Sequence, residues 1–262
     1  MEDRDVSSFY DELADSYHLI YEDWNAAIAR QGDILNRFIR ARMDDPQSRG
    51  ISLLDCSCGI GTQTIGLAER GFAVTATDIS PRSVARARSE AAKLGLAITF
   101  GIADFRTLQL DVPGRFDVVL SADNALPHLL ADEEILLALR NMAAKLQDDG
   151  LLVLTIRDYD MLIAEKPEAT QPRVMDQGKR IVFQVWDWSG DGRTYTTNHF
   201  IVQEGEGGQW QTEHHRTVYR ALLRHELGAL LEQAGLSHIQ WHTPAESGYY
   251  QPIVTARKAG QL

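Results

Sequence analysis

From residue 52 onward, short apolar runs alternate with segments of helical spacing. The runs at 52–56, 73–78, 98–101, 116–121 and 151–156 predict strands. The segments at 63–70, 81–94 and 132–146 repeat their apolar positions every three to four residues and predict helices between them. Short apolar strands joined by helices specify a parallel sheet covered on both faces, an α/β doubly wound fold with right-handed crossovers. Ahead of it, residues 6–42 carry two helical stripes: Tyr10, Leu13, Tyr17, Ile20 and Tyr21, then Ile28, Ile34, Leu35, Phe38 and Ile39. The polar stretch 44–50 predicts the turn into the first strand.

After residue 156 the period changes. Segments 180–188, 195–203 and 209–219 are rich in β-branched and aromatic residues and are separated by Ser189-Gly190-Asp191-Gly192 and Gly205-Glu206-Gly207-Gly208, which predicts an antiparallel meander. A last helix at 224–234 stops at Gly235, and 251–257 predicts a final strand. The expected division is a helical cap over 1–45, a core over 46–160, a β lid over 161–220, and a helix and strand over 221–262 that complete the core.

Composition narrows the partners. With 262 residues and 44% hydrophobic content the chain can bury a large core, which excludes disorder. Its 37 acidic and 26 basic residues give a net charge of −11, which argues against nucleic acid and anionic membranes and favours small-molecule partners. The run 151–156 is far short of the roughly 20 apolar residues that span a bilayer. Met1-Glu2-Asp3-Arg4-Asp5 is acidic where a secretory signal is basic, so a cytoplasmic location is expected. Cys56 and Cys58 are too few for a disulfide framework and read as small buried residues; His214 and His215 point to opposite faces of a strand, and no metal site is expected.

The densest chemistry lies in Asp55-Cys56-Ser57-Cys58-Gly59-Ile60-Gly61-Thr62, directly after the first strand and opening a helix. Gly59 and Gly61 let the backbone approach a ligand, but Ser57 and Thr64 break the three-glycine dinucleotide pattern. Asp78 closes the second strand, where a carboxylate accepts bonds from ribose hydroxyls. The third strand runs into Asp104-Phe105, an acid for an adenine amine and a ring to pack on it. Three successive strand ends thus address one adenosine.

These residues resemble the class I S-adenosylmethionine-dependent methyltransferases, over roughly 50–157. The resemblance implies a Rossmann-like sheet and S-adenosylmethionine as cofactor. It sets Asp55, Ser57 and Gly59 against the methionine moiety, Asp78 at the ribose and Asp104 with Phe105 at the adenine, with Cys56, Ile79 and Ser121 as further cofactor-binding candidates. Tyr10, Tyr17, Tyr21 and Trp24 fit either an ordinary amphipathic core or an aromatic helix that closes over the cofactor and excludes water. Two further segments, Asn124-Ala125-Leu126-Pro127-His128-Leu129 and Arg157-Asp158-Tyr159-Asp160, resemble glycine and sarcosine N-methyltransferases. That likeness implies Arg157 as the anchor for an acceptor carboxylate, with Asn124 orienting the amine. His128 and Tyr159 are further catalytic candidates, and Tyr249, Tyr250 and Gln251, before the last strand, are candidates for lining the same pocket.

Competing readings are a methyltransferase for another small acceptor, a nicotinamide-dinucleotide oxidoreductase, and a non-catalytic module that binds an adenosine ligand. Residue by residue, Arg157 has Asp158 and Asp160 as possible internal partners, and His128 fits a helix cap or a core histidine. Arg82, Arg86 and Arg88 read as a solvated helix face with an Arg86–Glu90 pair.

Overall fold

The computed structural model describes residues 6–43 and 50–258. The acidic N-terminus and, except for Gly50, the turn expected at 44–50 lie outside the described residues.

The chain opens with α1 (Val6–Leu13) and α2 (Trp24–Arg40), joined through a 3-10 turn at Tyr17–Ile20. It then alternates through β1 (Ser52–Asp55), α3 (Thr62–Ala68), β2 (Ala73–Asp78), α4 (Pro81–Lys93), β3 (Thr99–Ile102), the single turn α5 (Leu108–Asp111), β4 (Phe116–Ser121), α6 (Asp132–Lys145) and β5 (Leu146–Thr155). Local chemistry starts these helices. Asp23 accepts from the N–H of Ala26 at the head of α2, and Ser80 accepts from Ser83 ahead of Pro81 at the head of α4. A short α7 (Tyr159–Glu165) leads out to β6 (Arg173–Met175), β7 (Arg180–Trp188), β8 (Thr194–Glu204) and β9 (Trp210–Arg220). The chain returns through α8 (Arg224–Gln233), β10 (Leu236–His242), the turn α9 (Pro244–Ser247) and β11 (Ile253–Lys258).

The main sheet has seven strands in the order β10-β11-β5-β4-β1-β2-β3. β1 to β5 are parallel, and β11 and β10 are antiparallel additions on the β5 edge. Successive strands go one way from β1 and the other way from β4, so the switch point, where such sheets bind ligands, lies between β1 and β4. One apolar layer joins Leu54, Val119, Leu152 and Leu154 to α6 and α8; the other joins Leu53, Val74, Val118 and Val153 to α2 and α3. The meander is a separate sheet, β6-β7-β8-β9, all antiparallel.

α2 and α3 cross at glycine. A Cβ on Gly66 would stand 2.6 Å from the carbonyl oxygen of Ile28 and 2.9 Å from Cα of Gly32. This approach lets Trp24 Nε1 donate to Thr62 Oγ1 (2.8 Å) and brings Gln31 beside Gln63. On the basic face of α4, Arg82 and Arg88 are exposed as expected, and Arg82 and Arg86 carry a further role. Arg86 does meet Glu90 at 3.2 Å, but it also donates to the carbonyls of Ala14 and Asp15, and Arg82 pairs with Asp15. They tie the N-terminal segment onto the core.

Candidate active site

The loop after β1 runs along a cavity of about 1070 Å³ at the switch point. Gly59 adopts φ +50°, and a Cβ there would meet no protein atom within 4 Å, so its open side faces the cavity. Its N–H donates to Asp78 Oδ2 at 2.8 Å, and Ser80 N–H donates to Oδ1 at 2.9 Å. Burial raises the Asp78 carboxyl above its usual range, with these amides working in the opposite direction. Ile79 and Cys56 also line the cavity, and Ser57 Oγ lies 3.0 Å from Ser121 Oγ across the switch point. Cys56 and Cys58 are buried free thiols.

Asp55 is placed differently from the position the resemblance implies. It is fully buried behind the loop, accepting from Thr64 Oγ1 (2.6 Å) and Ser57 N (3.2 Å), and it does not line the cavity. Burial pushes its carboxyl up to about 7. Asp104 and Phe105 line the cavity's far end, but Asp104 is already gripped by Arg106 through Nε and Nη2, and Arg106 also pairs with Glu134.

At the end of β4, Asp123 and Asn124 adopt φ +59° and +66°, a left-handed pair uncommon outside glycine and typical of functional sites. Asp123 N donates to Thr155 Oγ1 and Asn124 N to Thr155 O, which fixes the turn against β5. The Asp123 carboxylate lines the cavity and accepts from Gln63 Nε2 (2.7 Å), Tyr249 OH (2.7 Å) and Tyr250 OH. Gln251 accepts from Thr155. Asp123, Gln31 and Gln63 are the residues the sequence reading passes over. The polar strand end marked by Ser121 and Asn124 is the only signal that points to Asp123.

Arg157 follows β5. Its Nη1 donates to Tyr195 OH (2.6 Å) and its Nη2 to Gln184 Oε1 (3.3 Å), while the guanidinium lies 4.8 Å from the Trp186 ring centre and 5.2 Å from that of Tyr219. The internal pairing considered from sequence does not form, because Asp158 and Asp160 turn to Arg224. The surrounding bonds run in one direction. Arg157 donates to Tyr195, Tyr195 OH meets Tyr159 OH at 3.1 Å, and Tyr159 donates to Asn124 Oδ1 at 2.9 Å, which also accepts from Arg157 N. Tyr159 is fully buried, and neither it nor Asn124 nor Arg157 is among the cavity-lining residues, which include Asp123, His128 and Thr217.

The N-terminal segment forms the cover. Tyr10 and Tyr17 line the cavity, and burial holds both hydroxyls protonated far above neutral pH. Tyr10 OH meets His128 Nε2 at 2.8 Å. His128 is buried against Tyr219 (ring centres 4.1 Å apart), and desolvation lowers its pKa to about 3, so the ring is neutral at working pH. Trp24 braces Thr62 and is not among the cavity-lining residues, nor is Tyr21, whose hydroxyl burial pushes up.

Residues 53–150 match a family described as a methyltransferase domain. The glycine/sarcosine N-methyltransferase of Parasynechococcus marenigrum (strain WH8102) is 34% identical over 141 residues, covering 54% of this chain and 48% of its own length. That of Halorhodospira halochloris is 24% identical over 242 residues, covering 86% and 81%. The chain therefore spans about half the length of the first relative and most of the second. Among solved structures, the CcbJ methyltransferase of Streptomyces caelestis superposes with a TM-score of 0.78 at 20% identity, over 98% of this chain and all of that one, a likeness of fold.

Proposed function

From the premise that this chain carries a class I S-adenosylmethionine-dependent methyltransferase domain and resembles the glycine and sarcosine N-methyltransferases, we propose that it methylates the amine of a small amino acid. The residues present fit the cofactor: Gly59 leaves room for close approach, Asp78 offers carboxylate oxygens to a ribose diol, and Phe105 offers a ring to an adenine. When bound, that cofactor supplies an electrophilic methyl on a sulfonium.

The chain's own groups do the positioning on which such a displacement depends. The observation that carries the reading is Arg157, a half-buried guanidinium at the end of β5 whose side-chain partners are a phenol, an amide and aromatic faces, and which forms no ion pair with any described carboxylate. Its planar fork suits the carboxylate of an amino acid. Tyr159 and Tyr195 hold Asn124 and Arg157 in place, and Tyr10 and Tyr17 keep water from the reacting amine while presenting ring faces that favour a cation. His128 is not the base: a ring that protonates only near pH 3 cannot take a proton from an ammonium of pKa about 10. It anchors Tyr10, and the amine reaches the site already neutral.

The test is kinetic. Arg157→Ala raises the Michaelis constant for glycine or sarcosine by about a hundredfold, the cost of a charge-assisted bidentate contact, and leaves the S-adenosylmethionine dissociation constant within about twofold. Equal acceptor kinetics in the variant and the parent would remove Arg157 from the acceptor site.

A further inference from the structure

The inner face of the lid carries buried polar groups for which a simple carboxylate anchor has no use. Strand register places Gln184, His199 and His215 in one row and Trp186, Thr197 and Thr217 in the next. Arg157 reaches the first row at Gln184.

Bond order fixes who donates. Arg157 Nη2 and Trp186 Nε1 can only donate, and both meet Gln184 Oε1, at 3.3 and 2.9 Å. Gln184 Nε2 is thereby turned to His199 Nδ1 at 3.1 Å and donates to it. The proton of the neutral His199 ring then sits on Nε2, which has no partner although the residue is 93% buried, being 7% exposed. In the paired strand, Glu213 can only accept, so His215 carries its proton on Nε2, 3.4 Å from that carboxylate, and its Nδ1 is a buried acceptor without a partner. Thr197 Oγ1 and Asn124 Nδ2 are likewise buried and unpartnered. Each such group is costly to bury unless something meets it.

A carboxylate offers about four lone-pair sites, all accepting. It can use Arg157 and a neighbouring N–H, but it gives nothing to the acceptor on His215. A donor and an acceptor on directly paired residues match a group that does both, a hydroxyl or a primary amide. Charge points the same way. One guanidinium balances one carboxylate, and His199 is held neutral chiefly by burial, its pKa lowered to about 4, so a second anion would find no counter-charge on it.

We propose that His199, His215 and Thr197 form a specificity subsite beside Arg157 that takes a side-chain hydroxyl or amide, so that the preferred acceptor is a hydroxylated or amidated amino acid. The assignment rests on Arg157 as the carboxylate anchor. The experiment measures release of S-adenosylhomocysteine with serine, asparagine, glycine, aspartate and 2-aminobutyrate, which replaces the serine hydroxyl by a methyl. Serine and asparagine exceed 2-aminobutyrate and aspartate in kcat/KM by at least about tenfold. His199→Phe brings serine down to 2-aminobutyrate through KM, and His199→Gln, which keeps an N–H, retains part of the gap; S-adenosylmethionine affinity and Tm report that both variants fold. If glycine is methylated while serine and 2-aminobutyrate differ by less than about twofold, the subsite is overturned and the amino-acid reading stands. A gap that survives His199→Phe overturns the role of His199. If no amino acid is methylated while the cofactor binds, both readings fall.

Discussion

Asp123 is a carboxylate in a left-handed turn, bonded by two phenols and an amide and facing the cavity without a cationic partner among the described residues. Of the other acids lining it, Asp104 and Glu134 share Arg106 and Asp187 accepts from Asn198, whereas Asp78, like Asp123, has no basic partner among the described residues. On the proposed cofactor placement Asp78 takes the ribose, and Asp123, one strand beyond the β1 loop and bonded to Gln63, takes the amino-acid tail. Asp123→Asn therefore weakens S-adenosylmethionine by roughly ten- to hundredfold, the range of one charge-assisted bond, and leaves 5′-methylthioadenosine, which lacks the tail, unchanged. Calorimetric titration of both ligands checks this, and an equal loss for both would place Asp123 elsewhere. Asp78 is legible in the sequence because a strand end and a glycine loop stand at a fixed order along the chain. Asp123 is not, because its partners Gln31, Gln63 and Tyr249 come from distant segments that only the fold brings together.

At the scale of elements, legibility follows the strength of the local signal. The apolar strands β2, β4 and β7 and the capped helix α4 are readable to within a residue, since their periods and caps are intact. β10 is missed because His238, at φ +53°, breaks the strand, and its pairing with β11 shifts between Ser237 and Gln240. The lid is legible as a meander, but which of its faces meets Arg157 depends on register, and a slip of one residue exchanges the faces. The crossing of α2 and α3 leaves almost no sequence signal beyond two glycines. Gly66→Ala sets a methyl against backbone atoms of Ile28 and Gly32, which cannot rotate aside as a side chain would. The cost is about 1–3 kcal/mol of overpacking, seen as a fall in Tm of at least ~3 °C. The displaced α2 also releases Trp24 from Thr62 and Gln31 from Gln63, so cofactor affinity falls with stability. An unchanged Tm would mean that the helices can separate freely.

Over the whole molecule, a net charge of −11 is drawn partly inward, onto Asp55, Asp78 and Asp123 around the switch point. This couples proton binding to ligand binding. Asp55 and Asp78 have folded-state pKa values raised by burial, Asp55 to about 7, so the folded chain holds protons there that the unfolded chain has released. Their contribution to stability is complete below about pH 4 and is lost as pH rises through the raised values, about 7 for Asp55. His128 and His199 act in the opposite sense, because pKa values lowered to about 3 and 4 make the folded state lose stability as pH falls below about 6.5. Of these four groups, the two carboxylates are the ones whose titration is moved upward toward neutral pH. A sulfonium and an ammonium brought into their field favour the ionised forms, so binding of S-adenosylmethionine expels a fraction of a proton at pH 7, and its affinity rises between pH 6 and 8. S-adenosylhomocysteine lacks the sulfonium charge and expels less. Calorimetry at pH 7 in two buffers of different ionisation enthalpy measures the proton count, and Asp55→Asn reduces it. Identical apparent enthalpies in the two buffers would show that Asp55 is ionised before the cofactor arrives, and that burial behind the glycine loop leaves its charge in place.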